Sequence, residues 1–443
     1  MSALVEHPTV RKYETTPHPA RKEELSSAWL RELALACGAD DVGFVEIERP
    51  SIAGERAEVE RVFPGARSLI GIVRRMGREE VRSPARSLAN LEFHHTTDEV
   101  NDIGRRLVAA LEREGVRALN TASGFPMEAD RWGTRNWIVS HKPVAEAAGL
   151  GRMGIHRNVI HPRFGTFILL GTVVIEAKVD VYSQPLDYNP CLECKLCVAA
   201  CPTGAIGADG AFDFSACYTH NYREFMGGFI DWVETVAGSG SAAEYRKRVA
   251  DTETVSMWQS LAFGPNYKAA YCLSVCPAGE DVIGPFLADR PKFLQTIVKP
   301  LQEKEETVYV LPNSDAEAHV ARRFPSKKSK RVSNGLRSPS VASFLRGLRL
   351  TFQRERAGDL DATYHFTFTG AEELEATVVI RNKRLEVMPG RVGKADLRIT
   401  ADAAAWLRFI RKETSIIWPL LRRMIRIQGP PRLLLAFGRC FGA

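Results

Sequence analysis

The chain has 443 residues, a formal net charge of +7, 45% hydrophobic and 26% charged residues. That length exceeds one ordinary core and implies two or three domains, and the balance reads as a folded, soluble chain. No run of eighteen apolar residues exists, so no membrane span is expected. The N-terminus has neither the apolar core of a secretory signal nor a twin-arginine export pattern. The expected location is the cytoplasm, where thiols stay reduced.

The charge is concentrated. Ala321 to Arg356 carries eleven Lys/Arg against one Glu, so the remainder of the chain is nearly balanced. A basic stretch such as "RRFPSKKSKR" suits nucleic acid, an acidic protein or a membrane surface. No aromatic stacking platform accompanies it. It therefore reads as a solvated linker, and no nucleic-acid partner is expected.

In chain order, residues 1–22 read as an arm. "EELSSAWLRELALACGA" places Leu25, Trp29, Leu33, Ala36 and Cys37 at helical spacing, with Gly38 as a stop. "DDVGFVEI" and "ARSLIGIV" read as strands, "EVNDIGRRLVAALEREGV" as an amphipathic helix, and "GTFILLGTVVIEAKV" as a buried strand. Strands alternate with helices, so 23–185 is expected to be α/β. Residues 186–290 hold the cysteine region, with "TVAGSGSAAEYRKRVADTE" as a surface loop and helix. Residues 291–340 read as the basic linker. From 341 to 443 the character changes. "TYHFTFTG", "LEATVVIRN", "RLEVMPG" and "ADLRITAD" alternate like a four-stranded antiparallel meander, and two helices and "IRIQGPPRLLLAF" follow, giving an α+β domain.

Seven of the nine cysteines lie between Cys191 and Cys276. "CLECKLCVAACP" is Cys-x2-Cys-x2-Cys-x3-Cys-Pro, the bacterial ferredoxin run. Three thiolates on one tight loop bind three irons of a [4Fe–4S] cube, and the fourth turns toward a second cube. The first cluster then takes Cys191, Cys194, Cys197 and the distant Cys276 of "YCLSVCP". The second takes Cys201, Cys217 and Cys272. A two-cluster protein normally has a cysteine three positions before Cys272, where this chain has Ala269. The second centre is thus a three-iron form, or it uses a non-cysteine ligand or a solvent molecule. The competing reading is zinc, which wants four ligands from paired knuckles and fits this run poorly. Cys37 reads as core, and Cys440 has no assigned role.

"HKPVAEAAGLGRMGIHRNVIHPRFGTFILLGTVV" (His141 to Val174) precedes the cysteines. Together with "CPTGAI" and the Cys217–Tyr218 pair, it resembles epoxyqueuosine reductase and the reductive dehalogenases. The resemblance covers about Glu24 to Phe286. It implies a nitroreductase-like α/β domain holding cobalamin, joined to a two-cluster ferredoxin module. It also implies that Gly149, Gly151 and Gly154 let the backbone approach the corrin, and that His156, Arg157 and Asn158 stand where the reductase has a Gly-Lys-Asn run. The reductase's acidic proton donor has Asp130 and Arg131 as its nearest counterparts. That mismatch and Ala269 keep the resemblance from fixing the substrate.

"CYTHNYREF" offers Tyr218, His220 and Tyr222 as proton donors and Arg223 as an anion holder. Ordinary packing around the clusters is the competing reading for each, as it is for His141 and His161. The last hundred residues resemble the sterol carrier protein 2 fold. Trp406, Phe409, Ile416, Ile417, Trp418 and Leu421 either line an apolar tunnel or fill a small core.

The expected function is an iron–sulfur reductase with a ferredoxin or flavodoxin donor. Electrons pass through two clusters to a cobalamin that reduces an organic substrate, an apolar one presented by the C-terminal domain. The alternative is a cobalamin-free electron-transfer protein coupled to a lipid- or sterol-binding domain.

Overall fold

The structure is a computed structural model that describes residues 2–131 and 136–441. Its N-terminal unit is a four-stranded sheet of β1 (Asp41–Glu46), β2 (Ser68–Arg75), β3 (Ala118–Thr121) and β4 (Ile168–Ile175) in the order β1-β2-β4-β3. Every pairing in it is antiparallel. The α/β expectation holds as a mixture of helices and strands around this antiparallel sheet.

Helices α1 (Ser27–Ala36) and α2 (Arg86–Arg113) cover one face, packing on Val42, Phe44, Ile70 and Ile72. Helix α3 (His141–Ala147) covers the other with Val45, Leu69, Val73 and Val174. With both faces buried, β2 and β4 read as continuous apolar runs rather than alternating ones. Helix α1 starts later than its periodicity implied. Ser26 caps it by accepting from the Trp29 amide at 3.4 Å, and the fully buried positions are Leu30 and Ala34.

The cysteine region contains α4 (Leu196–Ala200), α5 (Phe214–Asn221), α6 (Gly227–Ala237), α7 (Asp251–Phe263) and α8 (Tyr271–Ser274). The stretch expected as a solvated linker is folded. β5 (Thr307–Val310), α9 (Asp315–Arg323) and β6 (Lys328–Arg331) form a parallel βαβ unit, and its strand and helix interiors join the cysteine core. Its cations are in use. The Lys327 ammonium is buried and donates to Glu306 Oε1 at 2.8 Å and to the Lys304 and Leu301 carbonyls at 2.7 and 3.2 Å. Lys330 pairs with Glu253 at 2.5 Å and Arg331 with Glu317 at 2.5 Å. A charge count cannot reveal this, because each partner carboxylate is distant in sequence or hidden among other acids.

The C-terminal unit is a five-stranded sheet, not a four-stranded meander. β7 (Ala362–Thr369), β8 (Leu374–Arg381) and β9 (Arg384–Pro389) form antiparallel hairpins. β10 (Leu397–Asp402) crosses over to lie parallel to β7, and β11 (Ile425–Gln428) pairs antiparallel with β10. Trp406, 2% exposed, packs among Phe344, Phe366, Phe368 and Phe409 with centroids 5.6–6.0 Å away. Phe409 and Ile416 pack on the same core. Ile417, Trp418 and Leu421 are instead 61%, 62% and 69% exposed. The six residues therefore divide between a filled core and the surface. Cys440 is buried there, its thiol 3.2 Å from the Ala436 carbonyl. Among the described residues no helix is long and apolar enough to cross a membrane.

Candidate metal centre

The seven thiols separate into two groups. Cys191, Cys194, Cys197 and Cys276 line one recess together with His156, Lys195 and Pro277. Cys201, Cys217 and Cys272 share one apolar core with Ala269 and Tyr271. The electrostatics also link the groups, because Cys272 acts on Cys197 and Cys276 as well as on Cys217. Burial first, then Cys194, Cys191 and Cys272, raise the Cys276 thiol to about 12. Burial and Cys201 raise Cys272 to about 12, and burial, Cys201 and Cys272 push Cys217 up as well. Thiols so placed ionise only beside a compensating positive centre, which a metal supplies.

His156 tests the fit. Its ring is buried, and burial lowers its pKa to about 4, so it is neutral at pH 7. Nδ1 accepts from the Asn158 amide at 3.2 Å, which leaves the proton on Nε2. That atom is buried without a partner. It borders the four-cysteine recess, where sulfide or thiolate sulfur of a cluster would accept its proton. Among the described residues no three His, Cys, Asp or Glu side chains gather as a single ion requires. A tetrahedral zinc site needs four ligands within about 2.3 Å.

Local backbone explains the placement. Lys195 (φ +61°) and Ala270 (φ +58°) take left-handed conformations at the starts of α4 and α8, and the two helices pack together. The "HPRFG" turn docks on the second Cys-Pro loop. A side chain at Gly165 (φ +63°) would collide with the Ala278 carbonyl.

The glycines expected at a corrin are filled by the chain itself. A Cβ at Gly149 would strike the Gln184 carbonyl, one at Gly151 would lie 2.5 Å from the Ile160 oxygen, and one at Gly154 2.7 Å from Ile160 Cδ1. These close approaches are internal packing, which corrects that expectation. His156 faces the first thiol group. Arg157 (φ +62°) is exposed on the turn and offers its carbonyl. Asn158 Nδ2 lies 3.6 Å from Cys272 Sγ.

Sequence reasoning missed Lys142. Its ammonium donates to the Arg157 carbonyl at 2.6 Å and Asn158 Oδ1 at 3.1 Å. Burial lowers its pKa, opposed by Cys272 and Cys217. Lys142, Cys217, Cys272 and Tyr222 all keep accessible surface although burial shifts each. Lys142 and Tyr222 each act on Cys217 and Cys272, so the four form one partly accessible wall.

The proposed proton donors fare differently. Tyr222 belongs to this wall, held edge-on by Phe225 and Tyr267, and burial raises its pKa well above the usual phenol range. His220 is 2% exposed and turned toward β5, with Nδ1 accepting from the Tyr309 amide at 3.3 Å. That position corrects its assignment as a proton donor. Tyr218 accepts from the Gly227 amide at 2.9 Å. Arg223 is buried against Asp231 at 2.5 Å and Glu253 at 3.3 Å, so it has no charge free for a ligand. Asp130 sits on an exposed turn, Ala129–Arg131, next to residues outside the described set. His141 and His161 have both ring nitrogens engaged. A second feature also escaped sequence reading: a cleft of about 560 Å³ lined by Arg74, Arg75, Arg78, Phe164, Phe167 and Asp281, close to the Cys276 loop.

The 4Fe-4S binding domain model matches residues 185–207, and the SCP-2 sterol transfer family model matches 348–442. Epoxyqueuosine reductase of Vibrio cholerae serotype O1 is 31% identical over 104 residues, covering 23% of this chain and 28% of the reductase. That of Escherichia coli K12 is 30% identical over 101 residues, covering 23% and 26%. The chain thus spans less than a third of either reductase. A solved epoxyqueuosine reductase with a tRNA-Tyr epoxyqueuosine-modified stem loop aligns at TM-score 0.32 and 18% identity, over 43% of this chain and 56% of that one. A reductive dehalogenase described as acting in B12-dependent dehalogenation aligns at TM-score 0.38 and 15% identity, over 66% and 37%. The expectation of no nucleic-acid partner is withdrawn, because part of the chain is 31% and 30% identical to epoxyqueuosine reductases, and a reductase of that name is solved with a tRNA stem loop. Part of the chain is thus similar to epoxyqueuosine reductase and matches the 4Fe-4S binding domain model, and its C-terminal segment matches the SCP-2 sterol transfer family model.

Proposed function

We propose that the protein is an iron–sulfur, corrinoid-dependent reductase acting on a modified nucleoside in an RNA stem loop. The observation that carries the reading is the opposite placement of the two thiol groups. Cys194 of the first group is exposed beside exposed Leu192 and Glu193. The second group faces the N-terminal unit, with half-buried Cys272 3.6 Å from Asn158 Nδ2 and in the field of Lys142. Electrons thus enter at exposed Cys194 and leave toward the N-terminal unit. The clusters supply single-electron transfer, and a corrinoid supplies the reduced cobalt centre.

In this reading Cys191, Cys194, Cys197 and Cys276 hold the entry cluster, and Cys201, Cys217 and Cys272 the inner one. His156 donates to the entry cluster. Tyr222 stays protonated through burial and delivers the proton. The arginines of the cleft beside the Cys276 loop attract an acidic carrier such as ferredoxin or flavodoxin. The nitroreductase-like description of the N-terminal unit belongs to this proposal. The substrate follows the named reductases rather than the apolar molecule first expected. The net charge of +7 suits a polyanion.

The test is titration of anaerobically reconstituted protein with hydroxocobalamin and, separately, with a tRNA stem loop at low and high salt. The expected results are a changed corrinoid spectrum and stem-loop binding that weakens with salt. An unchanged spectrum rejects the corrinoid, and absence of binding at low salt rejects the nucleoside substrate.

A further inference from the structure

The cysteine unit carries an internal repeat. Cys194-x2-Cys197-x3-Cys201-Pro202 and Ala269-x2-Cys272-x3-Cys276-Pro277 have the same spacing. In each, the residue after the first position is left-handed, Lys195 at φ +61° and Ala270 at φ +58°, and starts a short helix. The helices pack on one another. Ala269 is therefore the structural counterpart of Cys194. It is 6% exposed, lies in one core with Cys201, Cys217 and Cys272, and donates its amide to Asn221 Oδ1 at 3.0 Å. A methyl group stands where the other half of the repeat has a ligand thiol. The neighbouring wall holds Tyr222 and Lys142, and Lys142 commits two of its three donors to Arg157 and Asn158.

We propose that the inner cluster is held by three protein thiolates and that its fourth iron, at the corner where Ala269 stands, is an open binding site for a small anionic donor. This rests on the iron–sulfur part of the proposed function and is independent of the corrinoid. An open iron binds cyanide, hydroxide or a substrate oxygen directly. It is also lost on mild oxidation: a [4Fe–4S]²⁺ cluster releases Fe²⁺, passes one electron to ferricyanide, and leaves [3Fe–4S]⁺.

The experiment treats anaerobic, fully loaded protein with cyanide or with one equivalent of ferricyanide, read by EPR and by released iron. Wild type is expected to change its cluster signal with cyanide and to release about one iron of about eight per chain. Ala269→Cys is expected to do neither, and Cys194→Ala in that background to move both responses to the outer cluster. Wild-type protein with a full iron complement that ignores cyanide and ferricyanide overturns this proposal alone. Protein free of iron and sulfide overturns the cluster reading with it. The cyanide arm on wild type decides the matter even if neither variant folds.

Discussion

Cys276→Ala is expected to remove about half of the iron and sulfide, about four of eight atoms of each, while the inner cluster stays. In the proposed assignment Cys276 is the distant ligand that closes the entry group, and the other three thiols, which line the same recess, sit on one loop. Electron uptake from an acidic carrier then fails even though inner-cluster EPR persists. Cys37→Ala, on the N-terminal helix that packs against the sheet, keeps both clusters and serves as the control. Iron and sulfide analysis with EPR separates the outcomes. Loss of all iron would mean that the seven thiols do not divide as described.

Lys327→Met is expected to destabilise the protein by about 3 kcal/mol, because it removes the nearer cation of the buried Glu306 carboxylate and leaves only Lys304 at 3.7 Å. The Lys327 side chain is 1% exposed and that of Glu306 10%. The carboxylate also accepts from the Tyr271 hydroxyl at 2.6 Å, one residue before Cys272. The damage should therefore reach the inner cluster and appear as faster iron loss along with a lower unfolding midpoint. Adding Glu306→Gln should recover most of the stability, since a neutral amide removes the unpaired charge. A Lys327→Met protein as stable as wild type would return this stretch to the solvated linker its composition implied.

These two positions mark what the sequence disclosed and what it hid. Cys-x2-Cys-x2-Cys-x3-Cys-Pro announces itself because cluster geometry forces a fixed local spacing, and the distant Cys276 is marked by its own proline. Lys327 looked like one cation in a solvated run, since burial depends on a βαβ unit whose strands are short and whose partner, Glu306, follows three charged neighbours, Glu303, Lys304 and Glu305. The apolar runs of β2 and β4 were legible as strands, but strand direction is set by connections, so the antiparallel order was not. In the C-terminal unit the alternation revealed individual strands, while the crossover that sets β10 beside β7 leaves no mark on either. The glycines from Gly149 to Gly154 show a similar limit. A missing Cβ signals a close approach, and only coordinates say that the approaching group is the chain's own carbonyl. Lys142 and Ala269 became informative through their neighbours, one by facing two thiols and the other by lacking one.

The most direct test of the account is quantification of iron, acid-labile sulfide and zinc on one sample purified without oxygen. The account predicts brown protein with about eight irons and about eight sulfides per chain and EPR signals from two interacting clusters on reduction. Colourless protein with about one zinc per chain and no sulfide would contradict it.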